Sequence, residues 1–472
     1  MNPPNPLLET SFGAVAADAP KNELSRSLQR RHLTMISIGG IIGAGLFVGS
    51  SAAISMAGPS VLISYALSGL LVFLIMRMLG EMAVARPGLG SFAEYAALSL
   101  GHWAGFVTGW LYWYFWVLVV PVEAIAGAKI LQTWIPLPPL PIGLALMSVM
   151  TGVNLMSTRS YAEFEFWFAS VKVAAILVFI VVAASYAFGW TSPDGPTFHN
   201  LVTNSGFAPH GWVAVVATVP TVFFAMTGAE ITMIAAAESA QPGLAVARLS
   251  SAVIGRILLF YVGSVFLIVC VVSWSAVRGG ESPFTLALTT MHIPGAALIM
   301  KAIILTAVLS CMNSAFYVSS RVLFVLADRG DAPPSLVRLN ARRVPVFSVL
   351  MGATAGFLGI IAATQAPQAV FDFLVSSSGA LGVVIYMVTA VAQMALRYRR
   401  RAAGEPDPAV SMWWFPFSSL VAIAGMGTVL IAMAFTPGMQ GDFKASCLAV
   451  LVAVLAYAVV RARRRAAAGP RR

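Results

Sequence analysis

Twelve apolar stretches run through this chain, each close to the twenty or so residues that an α-helix needs to cross the hydrocarbon core of a bilayer. Their approximate limits are 34–57, 59–83, 103–131, 139–157, 163–188, 212–237, 251–274, 297–326, 344–364, 370–396, 412–435 and 445–461. A backbone in hydrocarbon must satisfy its own polar groups, and helices do this within one segment. With 59% hydrophobic residues, 10% charged residues and a mean hydropathy of +0.85, the chain is excluded from the ordinary soluble class. The expectation is an all-α membrane protein with twelve transmembrane helices.

Charge sets the expected orientation. With the N-terminus inside, 23 of the 29 Lys and Arg fall on the cytoplasmic side, Lys129, Arg278, Lys301 and Lys444 fall outside, and Lys172 and Arg256 lie within spans. That bias predicts both termini in the cytoplasm. The net charge of +11 then needs no nucleic-acid partner, and Arg397–Arg401 and Arg461–Arg465 read as topology signals in contact with anionic lipid. No obligatory protein partner is implied. The polar tail 1–33 has no apolar region of its own, so no signal peptide is expected. Cys270, Cys311 and Cys447 all lie inside apolar spans and suggest no disulfide framework. Within the connection 84–101, Ser91–Leu100 is expected to form a short amphipathic helix.

The first span carries Gly39, Gly40, Gly43, Gly45 and Gly49 where a membrane helix should be most regular. A helix can loosen there only if protein or ligand takes up the freed amides and carbonyls. Five spans later, Ala225-Met226-Thr227-Gly228-Ala229 again places small residues at mid-span. A five-span unit has an odd number of crossings, so its second copy runs from the opposite side. Paired glycine-interrupted spans in such an inverted repeat point to a transporter's central site. Spacing alone leaves a second reading open, since Gly39/Gly43 and Gly45/Gly49 also have the spacing of close helix packing. With a break at Gly43, Ala44 and Gly45, the following amides would face a substrate carboxylate; Gly39, Gly40 and Gly49 are then left for packing. The expected organisation is a tail (1–33), two five-helix repeats (34–188 and 212–396), two accessory helices (412–461) and a basic tail (462–472).

Ionisable residues inside spans are costly enough to be functional candidates. Glu230 ends the sixth-span run from Phe223, Lys172 lies inside the fifth span, and Glu123 lies in the third span after the aromatic run Trp110–Trp116. Lys172 is a candidate proton carrier because desolvation opposes its charge and nearby carbonyls or carboxylates restore it. Its alternative is a lysine that snorkels to the interface. Arg77 and Glu81, four residues apart, read as a structural pair. The five histidines show neither metal-ligand spacing nor a neighbouring nucleophile, and no phosphate-binding Gly-Lys-Ser/Thr loop is present, so neither an enzyme, nor a metal, nor an organic cofactor is expected.

Gly39–Gly49, Arg77–Met82, Glu165–Phe168 with Lys172, Gly228–Glu230 with Ala235–Glu238, and Asn313-Ser314 through Ser320-Arg321 to Gly330–Pro333 together resemble the amino acid transporter family of the amino acid-polyamine-organocation superfamily. Leu46–Ser51, Trp110–Ala124 and Phe371–Leu374 with Ser377–Ala380 are most similar to its bacterial 4-aminobutyrate (GABA) permeases. The resemblance implies a LeuT-like five-plus-five inverted repeat with two C-terminal helices in the bacterial inner membrane. It also implies proton-coupled import of a small amino acid by alternating access. By the same resemblance, Gly43, Ala44 and Gly45 take the substrate carboxylate, while Phe224, Ala225 and Thr227 take its amino group, with Phe224 as a gate. Lys172 bridges the first and eighth spans, with Asn313 or Ser314 as its partner, and Glu230 and Glu123 are further proton-coupling candidates. Ala44 stands where many relatives have Thr. Rival readings are an α-amino-acid permease, an exchanger, or a sensor that no longer transports.

Overall fold

The computed structural model describes residues 42–86, 89, 91–156, 158–228, 230, 255 and 257–467. The N-terminal tail, Gly39, Gly40, Ala229, the Ala235–Glu238 motif and Arg256 lie outside the described residues. Among the described residues the secondary structure is helical apart from one isolated bridge, Leu339 to Pro345. Among the described residues eight helices are long and apolar enough to cross a membrane, and three shorter apolar helices join them: Gly211–Met226, Ile257–Val271 and Val346–Ala362. The longest apolar stretch, Ala44–Ala85, covers the first two predicted spans, with a 3-10 turn at Gly58–Ser60 between their helices. Gly58 has φ +63°, a conformation that glycine adopts at no steric cost. Helical segments are therefore present for each of the twelve predicted spans.

The third span, His102–Leu131, is the scaffold. It packs against the eighth span Ala296–Asp328, the ninth span Val346–Ala362, the tenth span Pro367–Ala402 and the twelfth span Gln440–Ala467. Small residues permit the approach of the ninth span: a Cβ on Gly359 would meet Pro121 Cβ at 2.2 Å, and one on Gly356 would meet Val120 Cγ1 at 2.8 Å. The sixth span, Gly211–Met226, sits between the second and tenth spans and touches the first. Gly379 of the tenth span lies so close to it that a Cβ would fall 1.9 Å from the Pro220 carbonyl oxygen. The expected short helix forms at Phe92–Leu100, capped by Ser91, whose hydroxyl accepts from the Glu94 amide.

Ion pairs gather at the arginine-rich end of the helices and differ from the sequence expectation. Glu81 is buried with Arg397 of the tenth span at 3.3 Å and accepts from Gln393 and from the Met412 amide. Arg77 instead places its guanidinium 3.8 Å from the centroid of the Trp413 ring. The Arg397–Arg401 cluster, read from sequence as a lipid contact, engages protein: Arg397 and Arg401 bind Asp407, Arg400 binds Glu405, and Arg399 binds the Leu98 carbonyl. The cause lies a few residues downstream, where the next loop brings both acids back over the helix end. Arg86 and Arg400 hold the Glu405 carboxyl below the usual carboxylate range, and Arg401 and Arg397 do the same for Asp407. A lowered folded-state pKa contributes stability above the ordinary value near ~4 that is lost as pH falls through the folded value. Arg397→Ala is expected to lower stability by about 3–5 kcal/mol, because it leaves Glu81 buried without its cation. Thermal unfolding of the purified protein in detergent checks this, and an unchanged midpoint would count against it.

Candidate substrate-binding and coupling site

The first span is broken, and the position of the break corrects the sequence reading. Ile42 and Gly43 are non-helical, whereas Ala44 and Gly45 already belong to a short helix, Ala44–Phe47. A second irregularity at Val48 separates this turn from the helix Gly49–Ala57. Gly43 is extended, at φ −140° and ψ −155°, so conformation does not demand glycine there. Space does: a Cβ would fall 2.7 Å from both Cys311 Sγ and Glu123 Oε1. The packing roles are also exchanged. A Cβ on Gly45 would lie 2.8 Å from Ala225 Cα of the sixth span, whereas one on Gly49 would make only ordinary contacts.

The break frees backbone groups, and buried side chains take them. The Ala44 amide donates to both carboxylate oxygens of Glu123 at 3.1 Å. The Ile42 carbonyl accepts from Lys172 Nζ at 3.1 Å. Lys172, fully buried, also donates to Ser310 Oγ at 2.9 Å, and Glu165 stands 3.7 Å away. The Ser310 hydroxyl in turn donates to the Glu165 carboxylate at 2.6–2.7 Å. Lys172 thus bridges the first and eighth spans, but through Ser310, one turn before the predicted Asn313 and Ser314. Asn313 accepts from Asn154 at 2.9 Å, and Ser314, the next residue, is buried. Glu165 had a visible signal: seven residues before Lys172, it lies two turns away on the same helix face.

The sixth span breaks at the corresponding place. Its helix ends at Met226, Thr227 turns extended at ψ 145°, and Gly228 takes φ +113°. The freed Gly228 amide donates to Glu230 at 2.7 Å. Glu230 also accepts from Tyr386 at 2.9 Å and from Tyr112 at 3.2 Å, so it ties the sixth span to the tenth and third. The Phe92 ring packs against both tyrosines. Neither Tyr386 nor the Phe92 contact was readable, because their partners are distant in sequence; Tyr112 lay inside the predicted aromatic run.

Between the two breaks is a small cavity. Gly43, Gly45, Glu123, Phe224, Ala225 and Thr227 of the predicted site line it, joined by Phe115, Trp116, Val119 and Cys311. Ala44 is not part of its lining but donates its amide to Glu123, which is; Lys172 and Glu230 also lie outside the lining. Two interrupted helices of opposite repeats meeting at a buried cavity are the arrangement of a secondary transporter's central site.

Residues 32–468 match the Amino acid permease family. The chain belongs to the amino acid permease family. It is 41% identical over 452 residues to a gamma-aminobutyric acid permease of Bacillus subtilis, covering 95% of this chain and 96% of that one. The corresponding Escherichia coli permease is 44% identical over 424 residues, with 89% and 90% covered. An aromatic amino acid transport protein of Corynebacterium glutamicum is 39% identical over 424 residues, with 88% and 91% covered. Among solved structures, a manganese transporter mutant of Eremococcus coleocola superposes with a TM-score of 0.57 at 13% identity, covering 94% and 97% of the two chains. That likeness speaks for the fold alone, a LeuT-like twelve-helix membrane fold.

Gly43→Ala in this permease is expected to cut substrate uptake at least roughly 10-fold while the protein is still made, because the added methyl must displace Glu123 or Cys311 from the cavity wall. Uptake normalised to membrane-inserted protein measures it; wild-type uptake would show that the wall yields.

Proposed function

We propose that this permease imports 4-aminobutyrate, or a close ω-amino acid, together with a proton across the bacterial inner membrane by alternating access, with both termini in the cytoplasm. The observation that carries the reading is the buried cavity where the broken first and sixth spans meet, in a chain 41–44% identical to gamma-aminobutyric acid permeases over most of its length. The proton is the coupling ion, and Lys172 is its first candidate carrier. Its ammonium holds the Ile42 carbonyl of the broken span against Ser310 of the eighth. Loss of that proton would weaken the grip on the first span, which couples protonation to the conformation of the site. Glu230 and Glu123 are the next candidates, each accepting a hydrogen bond from an amide at a break. The orientation rests on the Lys and Arg distribution.

A neutral zwitterion moving with one proton carries one positive charge, so an inside-negative potential assists by about 2.3 kcal/mol per 100 mV. In proteoliposomes, radiolabelled 4-aminobutyrate is expected to accumulate above the bath concentration under an imposed inward proton gradient, faster with the interior negative. A protonophore should abolish this. Equilibration indifferent to the gradient, or uptake that requires amino acid inside, would replace symport by facilitation or exchange. Lys172→Ala is expected to bind substrate but lose gradient-driven accumulation; accumulation with an unchanged pH profile would move the carrier to Glu230 or Glu123.

A further inference from the structure

Glu123 is 1% exposed and, among the described residues, is the only acidic one lining the cavity. A carboxylate so far from water needs hydrogen bonds and a cation, or a proton, to be tolerated. Its hydrogen bonding is one-sided. Both oxygens share the single N–H of Ala44, and the Cys311 thiol, a weak donor, adds a second contact. Most of its acceptor capacity is unused. Among the described residues no Lys or Arg nitrogen lies within ion-pair distance of it, since Lys172, the cation of this region, is engaged with Ile42, Ser310 and Glu165.

The sixth-span groups expected to receive the substrate's amino group each already hold one hydrogen bond. The Ala225 carbonyl accepts from Tyr261 at 2.7 Å, the Phe224 carbonyl from the Thr227 amide at 3.3 Å, and the Thr227 hydroxyl donates to the Phe223 carbonyl at 3.1 Å. The cavity lining holds no cation among the described residues, and Lys172, outside it, reaches Glu123 only through its field. An amino acid brings one. The apolar rings of Phe115, Trp116 and Phe224 around it raise the cost of leaving either charge unpaired.

We propose that Glu123 is the specificity-determining residue for the substrate's ammonium group: its carboxylate forms a buried ion pair with that ammonium while still holding the Ala44 amide of the broken first span. This rests on the reading of the cavity as the substrate site. It assigns Glu123 a direct contact with substrate in place of the sixth-span carbonyls. A substrate seated there links the third-span scaffold to the first span, and a carboxylic acid without an amino group meets an unpaired like charge instead.

Equilibrium binding of 4-aminobutyrate and of 4-hydroxybutyrate, its uncharged-end analogue, to the purified permease in detergent tests the pairing. Wild type is expected to prefer the amine by roughly 30-fold, as suits a charge-assisted buried contact. Glu123→Gln keeps an oxygen for the Ala44 amide and is expected to reduce that preference to within about 3-fold, chiefly by weakening the amine. Glu123→Asp, which withdraws the charge by one methylene, should weaken the amine more than the alcohol, so the test does not depend on one variant folding. Equal weakening of both ligands, as a purely structural or proton-carrying role would give, or a preserved preference in Glu123→Gln, overturns the proposal. If wild type binds a different amino acid and not 4-aminobutyrate, the proposed substrate fails. That amino acid and its hydroxy analogue then test Glu123 in the same way.

Discussion

A broken backbone in the middle of a membrane protein has to be completed by something other than its own helix, and in this permease that completion organises the centre of the fold. Ile42 and Gly43 interrupt the first span, Lys172 takes the carbonyl that is freed, and Glu123 takes the amide. Each of these side chains is charged when ionised, and each is anchored on a different scaffold helix. Lys172 is compensated by Glu165 two turns away on its own helix and by Ser310 on the eighth span. The first span is therefore held from two sides, by a cation at its carbonyl and a carboxylate at its amide. Either grip weakens if its charge changes, which is why this contact suits a machine proposed to couple a proton to a conformational change.

The sixth span solves the same problem differently. Its freed amide at Gly228 is taken by Glu230, two residues on in the same chain, and Glu230 is then clamped by Tyr386 and Tyr112. The first break thus depends on partners from the third, fifth and eighth spans, and the second on the third and tenth. Because the third span contributes to both, through Glu123 and Tyr112, it is the element through which the two halves of the site are positioned. Close approach at Gly45 and Ala225 brings the breaks together, and a side chain at residue 45 would separate them.

Much of this was legible because hydropathy and small-residue placement act locally. Twelve runs of membrane-spanning length required helices, two mid-span interruptions five spans apart indicated where they fail, and three buried ionisable residues marked costs that need a reason. The misreadings were of partner and register. Lys172 was expected to meet Asn313 or Ser314 and meets Ser310, one turn away, because the relative depth of two helices is set by packing along their whole length. Arg77 and Glu81 have the spacing of a pair, yet Glu81 turns to Arg397 and Arg77 stacks on Trp413. A local i, i+4 contact is worth only a few tenths of a kcal/mol, so a buried partner from another helix outcompetes it.

The sequence by itself determined that the chain crosses the membrane many times, that its first and sixth spans are weak at the centre, and that Lys172, Glu123 and Glu230 must find partners away from water. These follow from residue-by-residue costs of burying polar groups in hydrocarbon, which do not depend on the rest of the fold. Only the tertiary structure decided which partner each found, that Gly43 is needed for space beside Glu123 and Cys311, and that Gly45, in place of Gly49, makes the close contact. It also decided that Glu123 stands at the cavity with no protein cation among the described residues within ion-pair distance. Such facts depend on distances between helices far apart in sequence, and those distances are fixed when the spans pack together.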